Sequence, residues 1–213
     1  MSDNEEMISE QLGIEEENIK FINGGGEGNV YSFIDKDGTK KVIKIFSNGI
    51  SMDKEYENTR KNPEKQEELI GNTKKTLKPL ENGKLITEDN KEFFYQIYDY
   101  MDYDLYYVIK DNTIPINSYE LFIIALRTVM GVNSLHAANI AHRDIKPGNI
   151  MVNINNKKTK LIDFGLIEQP EAGDKYKAIG TPQYESPELY DNSEINSKAL
   201  FPADIYALCV TLF

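Results

Sequence analysis

The sequence reads Ala141-His-Arg-Asp-Ile-Lys-Pro-Gly-Asn-Ile-Met151 and then, after eight intervening residues, Lys160-Leu-Ile-Asp-Phe-Gly165. Transfer of a phosphoryl group needs a carboxylate that orients the attacking hydroxyl, a cation near the migrating charge, and oxygen ligands for magnesium. Within twenty residues the chain supplies these groups, as Asp144, Lys146, Asn149 and Asp163. Two polar turns around a hairpin would explain either segment alone. The two segments together, at this spacing, indicate phosphoryl-transfer chemistry.

A glycine-rich segment lies about a hundred residues upstream, between two predicted strands. It consists of Ile22, Asn23, Gly24, Gly25, Gly26, Glu27, Gly28, Asn29 and Val30. Glycines let backbone N–H groups approach phosphates closely because no side chain intervenes, although a plain hairpin turn is the alternative. Lys44 follows in the predicted strand 41–46, where a cation flanked by β-branched residues needs a partner. The pair of features favours a phosphate-binding loop followed by a phosphate-binding lysine.

The predicted secondary structure changes from strands to helix near Asp102. Before that residue, short strands are predicted over 19–46, 84–87 and 92–100, with a hairpin turn at Lys36-Asp-Gly38. Residues 51–69 favour helix, and Asn62-Pro63 divides them into one piece before the proline and one after it. After Asp102, residues 119–136 carry apolar side chains at helical spacing. A strand-rich half followed by a helix-rich half predicts an α+β fold with two lobes, over residues 20–101 and 102–213.

Residues 1–19 are strongly acidic and precede the first predicted strand. A short helix from about Glu5 to Leu12, ended by Gly13, is one interpretation of this segment. A solvated acidic leader is the other, and the density of carboxylates favours it.

Composition excludes several classes of function. The 213 residues are 40% hydrophobic and 28% charged, with a formal net charge of −11, which would repel DNA, RNA and anionic lipid. The single cysteine, Cys209, excludes a disulfide framework and a cysteine-based zinc site. The acidic opening is unlike a signal or transit peptide, and the apolar runs are too short to cross a bilayer. We therefore expect no nucleic-acid or membrane partner, and an intracellular, soluble protein, cytoplasmic in the simplest case.

Residues 20–213 resemble the eukaryotic-type protein kinases, whose signature set includes the two segments quoted first. The stretch Gly180-Thr-Pro-Gln-Tyr-Glu-Ser-Pro-Glu188 resembles the end of that family's activation segment, with Ser-Pro-Glu in place of Ala-Pro-Glu. Asp204-Ile-Tyr-Ala-Leu-Cys209 resembles the start of the family's central buried helix. The resemblance implies a small β-rich N-lobe, a helical C-lobe, and ATP and Mg²⁺ as cofactors.

The resemblance also implies a role for each matching residue of the second half. Asp144 corresponds to the catalytic aspartate, and Lys146 belongs to the same catalytic loop. Asn149 and Asp163 correspond to the magnesium ligands. His142 and His136 are interpreted as structural histidines, one positioning the loop and one ending a helix.

In the first half, the resemblance implies a nucleotide-binding set. Gly25, Gly28 and Val30 match the glycine-rich loop, whereas Asn23 replaces its first glycine. Lys44 matches the lysine that binds the α- and β-phosphates. Its glutamate partner is Glu55 or Glu57, and the apolar residue after Glu55 favours the former. Asp99 and Met101 match the hinge, whose backbone groups bond the adenine edge.

Lys146 and Thr181 both match the serine/threonine branch of the family, so the predicted reaction moves the γ-phosphate of ATP to Ser/Thr hydroxyls of protein substrates. A pseudokinase that only binds nucleotide or partners usually lacks Lys44, Asp144 or Asp163, and all three are present. Small-molecule kinases of the aminoglycoside or choline type share the catalytic loop but lack the pattern of residues 180–188.

Two expectations concern the last seventy residues. Arg143 places the chain among the kinases whose activation segment can be ordered by a phosphate bound to this arginine. Between Leu166 and Gly180, however, the only hydroxyl is that of Tyr176. A carboxylate could take the place of the phosphate, with Glu168, Glu171 and Asp174 available. Residues 204–213 are apolar nearly all round and would be wrapped by further helices in the family. The resemblance thus implies a C-terminally truncated or degenerate domain, which we expect to be aggregation-prone or partly disordered from about Glu188 onward unless a partner covers this helix.

Overall fold

A computed structural model describes residues 3–25, 28–47 and 63–213 of the chain. The chain divides into two compact units. The first combines Met1–Met52 with Lys78–Tyr100, and the second combines Asp53–Leu77 with Met101–Phe213. Strands dominate the first unit and helices the second, so the predicted α+β organisation is confirmed.

The first unit is built on one antiparallel sheet of five strands. The strands are β1 (Lys20–Gly25), β2 (Gly28–Ile34), β3 (Lys40–Phe46), β4 (Glu81–Ile86) and β5 (Glu92–Asp99), in the spatial order β1-β2-β3-β5-β4. Alternate residues of the strands point to one face, where Tyr31, Phe33, Ile43 and Ile45 are at most 2% exposed. The predicted hairpin between β2 and β3 is present, and Gly38 takes a φ of +81° that glycine tolerates.

Residues Asp3–Leu12 form a helix, α1, that packs on this sheet. Ile8 is fully buried, and Met7 and Ile14 join the same hydrophobic core. The Gln11 amide bonds the backbone of Ile86 in both directions, at 2.6 and 2.9 Å, which ties α1 to β4. The expected solvated leader is therefore wrong. Glu6 and Glu10 of α1 are exposed to solvent, whereas Met7 and Ile8 complete the core.

The second unit combines a helical core with short strands. Its helices are α2 (Pro63–Ile70), α3 (Leu105–Lys110), α4 (Ser118–Ala137), α5 (Pro187–Tyr190) and α6 (Ser197–Leu212). Its strands are β6 (Tyr103–Asp104), β7 (Ile150–Val152) and β8 (Thr159–Leu161), which form a three-stranded sheet, and the pair β9 (Lys175–Lys177) and β10 (Glu194–Asn196). The predicted helical piece after Pro63 is α2, and the piece before it lies outside the described residues.

The predicted helix over 119–136 is confirmed as α4. It begins with a capping box, in which Asn117 accepts from the Glu120 N–H and the Glu120 side chain accepts from the Asn117 N–H. Ile124, Val132 and Leu135 are buried in the core of the unit. Two other members of the predicted apolar face, Leu121 and Val129, are exposed.

Helix α6 is buried on one side only. Leu200, Ala203, Ala207 and Leu208 pack inward, whereas an opposite set of large side chains is exposed, namely Ile205, Tyr206, Val210 and Phe213. The apolar pattern of 204–213 thus corresponds to a helix with a buried face and an exposed face. Across the described ranges, no helix is both long enough and apolar enough to span a membrane.

Candidate active site

The loop that carries Asp144 is held in place by a buried carboxylate of α6. Asp204 is 1% exposed and accepts hydrogen bonds from the backbone N–H groups of His142 and Arg143, each at 2.7 Å. Its Oδ2 atom also lies 2.9 Å from Nε2 of His136, at the end of α4. Arg143 has a φ of +68°, a strained conformation for a side chain of this kind. These bonds fix the backbone in that conformation and so set the direction of Asp144.

The two histidines have the structural roles predicted for them. His142 is fully buried, its Nε2 atom lies 3.1 Å from the carbonyl oxygen of Ile162, and its ring packs on Phe164 with centroids 5.5 Å apart. His136 packs on Phe201. His142 thereby connects the loop of Asp144 with the segment that contains Asp163.

Three polar side chains converge on Asp144. Lys146 Nζ lies 2.7 Å from Asp144 Oδ2, and the Thr181 hydroxyl donates to Oδ1 at 2.6 Å. Lys146 Nζ also donates to Thr181 Oγ1 at 2.8 Å, which closes a three-membered network. Asn149 Nδ2 donates to the carbonyl oxygen and to Oδ2 of Asp144, at 2.8 and 2.9 Å. The carboxylate is therefore oriented on both oxygens.

This environment favours the ionised form of Asp144. Burial raises the pKa of the carboxyl, but hydrogen bonds from Lys146 and Thr181, the lysine charge and the Asn149 amide together hold that pKa below its ordinary value. The carboxylate is therefore ionised at neutral pH and can accept a hydrogen bond from an acceptor hydroxyl.

Asn149 and Asp163 suit a magnesium ion by their chemistry. The backbone N–H of Ile162 donates to the Asn149 carbonyl at 3.0 Å, which brings Asp163 next to the loop of Asn149. Because both Asn149 amide hydrogens face Asp144, the amide oxygen is the atom left for a ligand. Asp163 has a φ of +63°. Within the described ranges, no group of three or more His, Cys, Asp or Glu side chains could hold a metal. One carboxylate and one amide oxygen fit Mg²⁺, which takes few protein ligands and completes its shell with phosphates and water.

In the first unit, the glycine-rich segment joins β1 to β2. Ile22, Asn23, Gly24 and Gly25 lie in β1, Gly28, Asn29 and Val30 lie in β2, and Gly26 and Glu27 are outside the described residues. Gly28 has a φ of +146°, and a Cβ atom there would lie 2.1 Å from the carbonyl oxygen of Ile45. Only glycine therefore fits at 28. The Asn23 side chain accepts a hydrogen bond from the Gly24 N–H at 2.8 Å, which stabilises the segment where the family pattern has its first glycine.

Lys44 lies in the middle of the sheet, on β3. It is paired across the strands with Val30 and with Gln96, and its ammonium group lies 4.9 Å from the ring centroid of Phe46. Asp99 is the last residue of β5, and Met101, which follows in the chain, is buried. Glu55 and Glu57 lie outside the described residues, so the partner of Lys44 stays a prediction.

Two contacts of the site were not predicted from the sequence. The sequence identified Thr181 only as a match to the serine/threonine branch, whereas in the structure its hydroxyl donates directly to Asp144. Asp204 was identified only as the start of a helix, whereas it holds the loop backbone. Both residues lie within motifs that the sequence displays, but their partners are 37 and more residues away along the chain.

Comparisons with known proteins agree with this geometry. The model of the family described as "Protein kinase domain" matches residues 17–213. The probable serine/threonine-protein kinase PLK of Dictyostelium discoideum is 40% identical over 96 residues, 45% of this chain and 9% of that protein. Mitogen-activated protein kinase 2 of Arabidopsis thaliana is 30% identical over 179 residues, 80% of this chain and 45% of that protein. Serine/threonine-protein kinase ppk34 of Schizosaccharomyces pombe is 44% identical over 86 residues, 40% of this chain and 24% of that protein. The chain thus spans less than half the length of these relatives.

Proposed function

We infer that this chain, which belongs to the protein kinase domain family, transfers the γ-phosphate of ATP to serine or threonine hydroxyls of protein substrates. The observation that carries this proposal is the network around Asp144. A carboxylate that is ionised, oriented on both oxygens and adjacent to a lysine suits the activation of a hydroxyl for in-line attack.

In the proposed step, the acceptor oxygen forms a bond to the γ-phosphorus while the bond from that phosphorus to the β–γ bridging oxygen breaks. ADP leaves, and the hydroxyl proton passes to Asp144. The ammonium group of Lys146, 2.7 Å from Asp144, supplies positive charge where negative charge moves. Asn149 and Asp163 would hold magnesium, which neutralises phosphate charge when it is bound. Lys44 would bind the α- and β-phosphates, and Asp99 and Met101 the adenine edge.

A protein substrate is favoured over a small molecule by the segment 180–188. Its Thr181 hydroxyl reaches the catalytic carboxylate, so the segment that follows the catalytic loop is part of the same site. The names of the relatives from Dictyostelium and Schizosaccharomyces state serine/threonine-protein kinases, which supports serine and threonine as acceptors.

The test is transfer of labelled phosphate from ATP to a mixture of serine- and threonine-containing proteins in the presence of Mg²⁺. We expect Asp144→Asn to abolish transfer while nucleotide affinity stays nearly unchanged, because this carboxylate acts on the acceptor. Lys44→Met and Asp163→Ala should abolish transfer and weaken nucleotide binding. The matched control is Glu171→Gln, which removes an exposed charge outside the network.

Wild-type turnover by the Asp144→Asn variant would overturn the assignment. ATP binding by the wild-type chain without any phosphate transfer would instead support the alternative, a nucleotide-binding module without turnover.

A further inference from the structure

A small cavity of the second unit opens beside the catalytic carboxylate. It has a volume of about 20 Å³, room for a group of the size of one water molecule. Leu189, Leu200 and Ala203 provide apolar walls, and Asp144, Thr181 and Glu185 contribute polar ones. A group bound here would therefore lie next to the residue that receives the acceptor hydroxyl.

Glu185 is held at this cavity by the local backbone. It follows the 3₁₀ turn Pro182–Tyr184, and its side chain is half-buried. Its Cγ and Oε1 atoms lie 3.3 and 3.4 Å from the position that a Cβ atom would take at Gly180. The side chain thus crosses the face of Gly180, where the absence of a side chain leaves room for it.

The carboxylate of Glu185 differs from the other charged groups of this site in its lack of a partner among the described residues. Asp144 is paired with Lys146, and Arg143 with Glu168. For Glu185, in contrast, the described residues provide no hydrogen bond and no ion pair. A half-buried carboxylate loses part of its hydration, and that loss is offset when a cation or a hydrogen-bond donor binds to it.

We propose that Glu185 is a specificity-determining residue that binds a basic side chain of the substrate, lysine or arginine, close to the acceptor hydroxyl. The proposal rests on the protein kinase activity proposed above and names the class of substrate. A cation would satisfy the carboxylate and enter a region whose other charges are already paired. The formal net charge of −11 would also attract a basic peptide toward the domain.

The experiment uses two sets of synthetic peptides with one serine acceptor. In the first set, a single lysine is moved through the positions on either side of the serine, and in the second norleucine replaces that lysine. For the wild-type chain we expect one position at which lysine raises kcat/KM about tenfold over norleucine, the range of a partly buried charge pair.

Glu185→Gln should bring the lysine-to-norleucine ratio at that position close to one, and Glu185→Lys should bring that ratio below one. The control Glu171→Gln removes a charge of the same sign from an exposed position outside the segment 180–188 and should keep the wild-type ratio. A wild-type ratio near one at every position would overturn the proposal, as would an unchanged ratio in Glu185→Gln.

A binding measurement separates this proposal from the proposed activity. Fluorescence anisotropy with the same peptides, serine replaced by alanine, reports affinity without turnover. A preference for lysine that requires Glu185 supports the binding site even when no phosphate is transferred, in which case only the proposed activity fails. Phosphate transfer without any Glu185-dependent preference leaves the activity standing and overturns the specificity site. Circular dichroism of each variant verifies folding, and the Glu185→Lys variant carries the test if Glu185→Gln does not fold.

Discussion

The guanidinium group of Arg143 forms an ion pair with the carboxylate of Glu168, with Nη1 and Oε2 3.2 Å apart. The same guanidinium donates to the Lys177 carbonyl at 2.6 Å. The backbone of Glu168 is itself bonded to that of Ala141, in both directions. Both side chains of the pair are largely buried. Arg143, which precedes Asp144, is therefore joined to the segment after Asp163 by the carboxylate of Glu168.

This pair predicts that activity does not need a phosphate on the segment 166–180, in which the only hydroxyl is that of Tyr176. A phosphate on that segment would order it by binding Arg143, and Glu168 already occupies the guanidinium. We expect phosphatase-treated chain to keep its kinase activity, measured with labelled ATP. Glu168→Gln should lower the activity and reduce the free energy of unfolding by about 1–3 kcal/mol, because it weakens the pairing of a buried charge.

Glu171→Gln is the matched control, since Glu171 is exposed and nearby. It should leave both quantities unchanged. Loss of activity after phosphatase treatment would contradict the prediction. Dependence on phosphorylated Tyr176 would contradict the role of Glu168.

Lys146→Met should move the acidic limb of the pH–activity profile to higher pH. The hydrogen bond and charge of Lys146 oppose the effect of burial and help to hold the pKa of Asp144 below its ordinary value. A depressed pKa in the folded state keeps the carboxylate ionised until acidification reaches that low value. Without Lys146 the pKa of Asp144 rises, so activity is lost sooner as the pH falls. The measurement is kcat/KM as a function of pH. The quantity compared is the pH at which the acidic limb falls, and not the maximal activity.

Lys175→Met serves as the control for that profile, because the Lys175 side chain is exposed and pairs with Glu194 instead of Asp144. A limb that stays in place in Lys146→Met would show that the lysine does not set the ionisation of Asp144.

Thr181→Val should lower kcat about 10- to 100-fold, because it removes the hydroxyl that orients Asp144 Oδ1 while keeping the size of the side chain. The KM for ATP should change little, since Thr181 contacts the acceptor side of the site. Thr181→Ser keeps the hydroxyl and should restore most of the rate. Equal activity of the valine and serine variants, measured by steady-state kinetics, would exclude a positioning role.

The motifs of the second half predicted the chemistry of Asp144, Asn149 and Asp163 because each motif is contiguous in sequence. The helix α4 was predictable because apolar residues recur with period 3.6, and the strand β3 because it is a short run rich in valine and isoleucine. The contacts of Thr181 and Asp204 could not be predicted in this way. They join residues that only tertiary folding brings together, and a local pattern contains no information on such distances.

The same limit explains the error on the first residues. A high density of carboxylates indicates solvent exposure, and Glu6 and Glu10 of α1 are indeed exposed. The decisive contribution comes from Met7 and Ile8, which gain their burial from a sheet formed much later in the chain. Composition averages over a segment, whereas two apolar residues are enough to anchor a helix.

Asp204→Ala should destabilise the second unit by about 2–5 kcal/mol, since it leaves the backbone N–H groups of His142 and Arg143 buried without an acceptor. Urea denaturation followed by circular dichroism measures the change. Asp191→Ala removes an exposed aspartate and should have little effect. Nearly equal stability of the two variants would show that the loop is held by other contacts.

Ile8→Ala should destabilise the first unit by about 2–5 kcal/mol, and Ile8→Val by about 0.5–1.5 kcal/mol, because the side chain is fully buried between α1 and the sheet. Glu10→Ala, on the exposed side of the same helix, should change the stability little. Amide exchange along β4 gives a local reading, since Gln11 of α1 bonds the backbone of Ile86. We expect faster exchange at Ile86 in Ile8→Ala than in Glu10→Ala. Wild-type stability and exchange in Ile8→Ala would mean that α1 does not belong to the core, and that the first residues are a solvated leader after all.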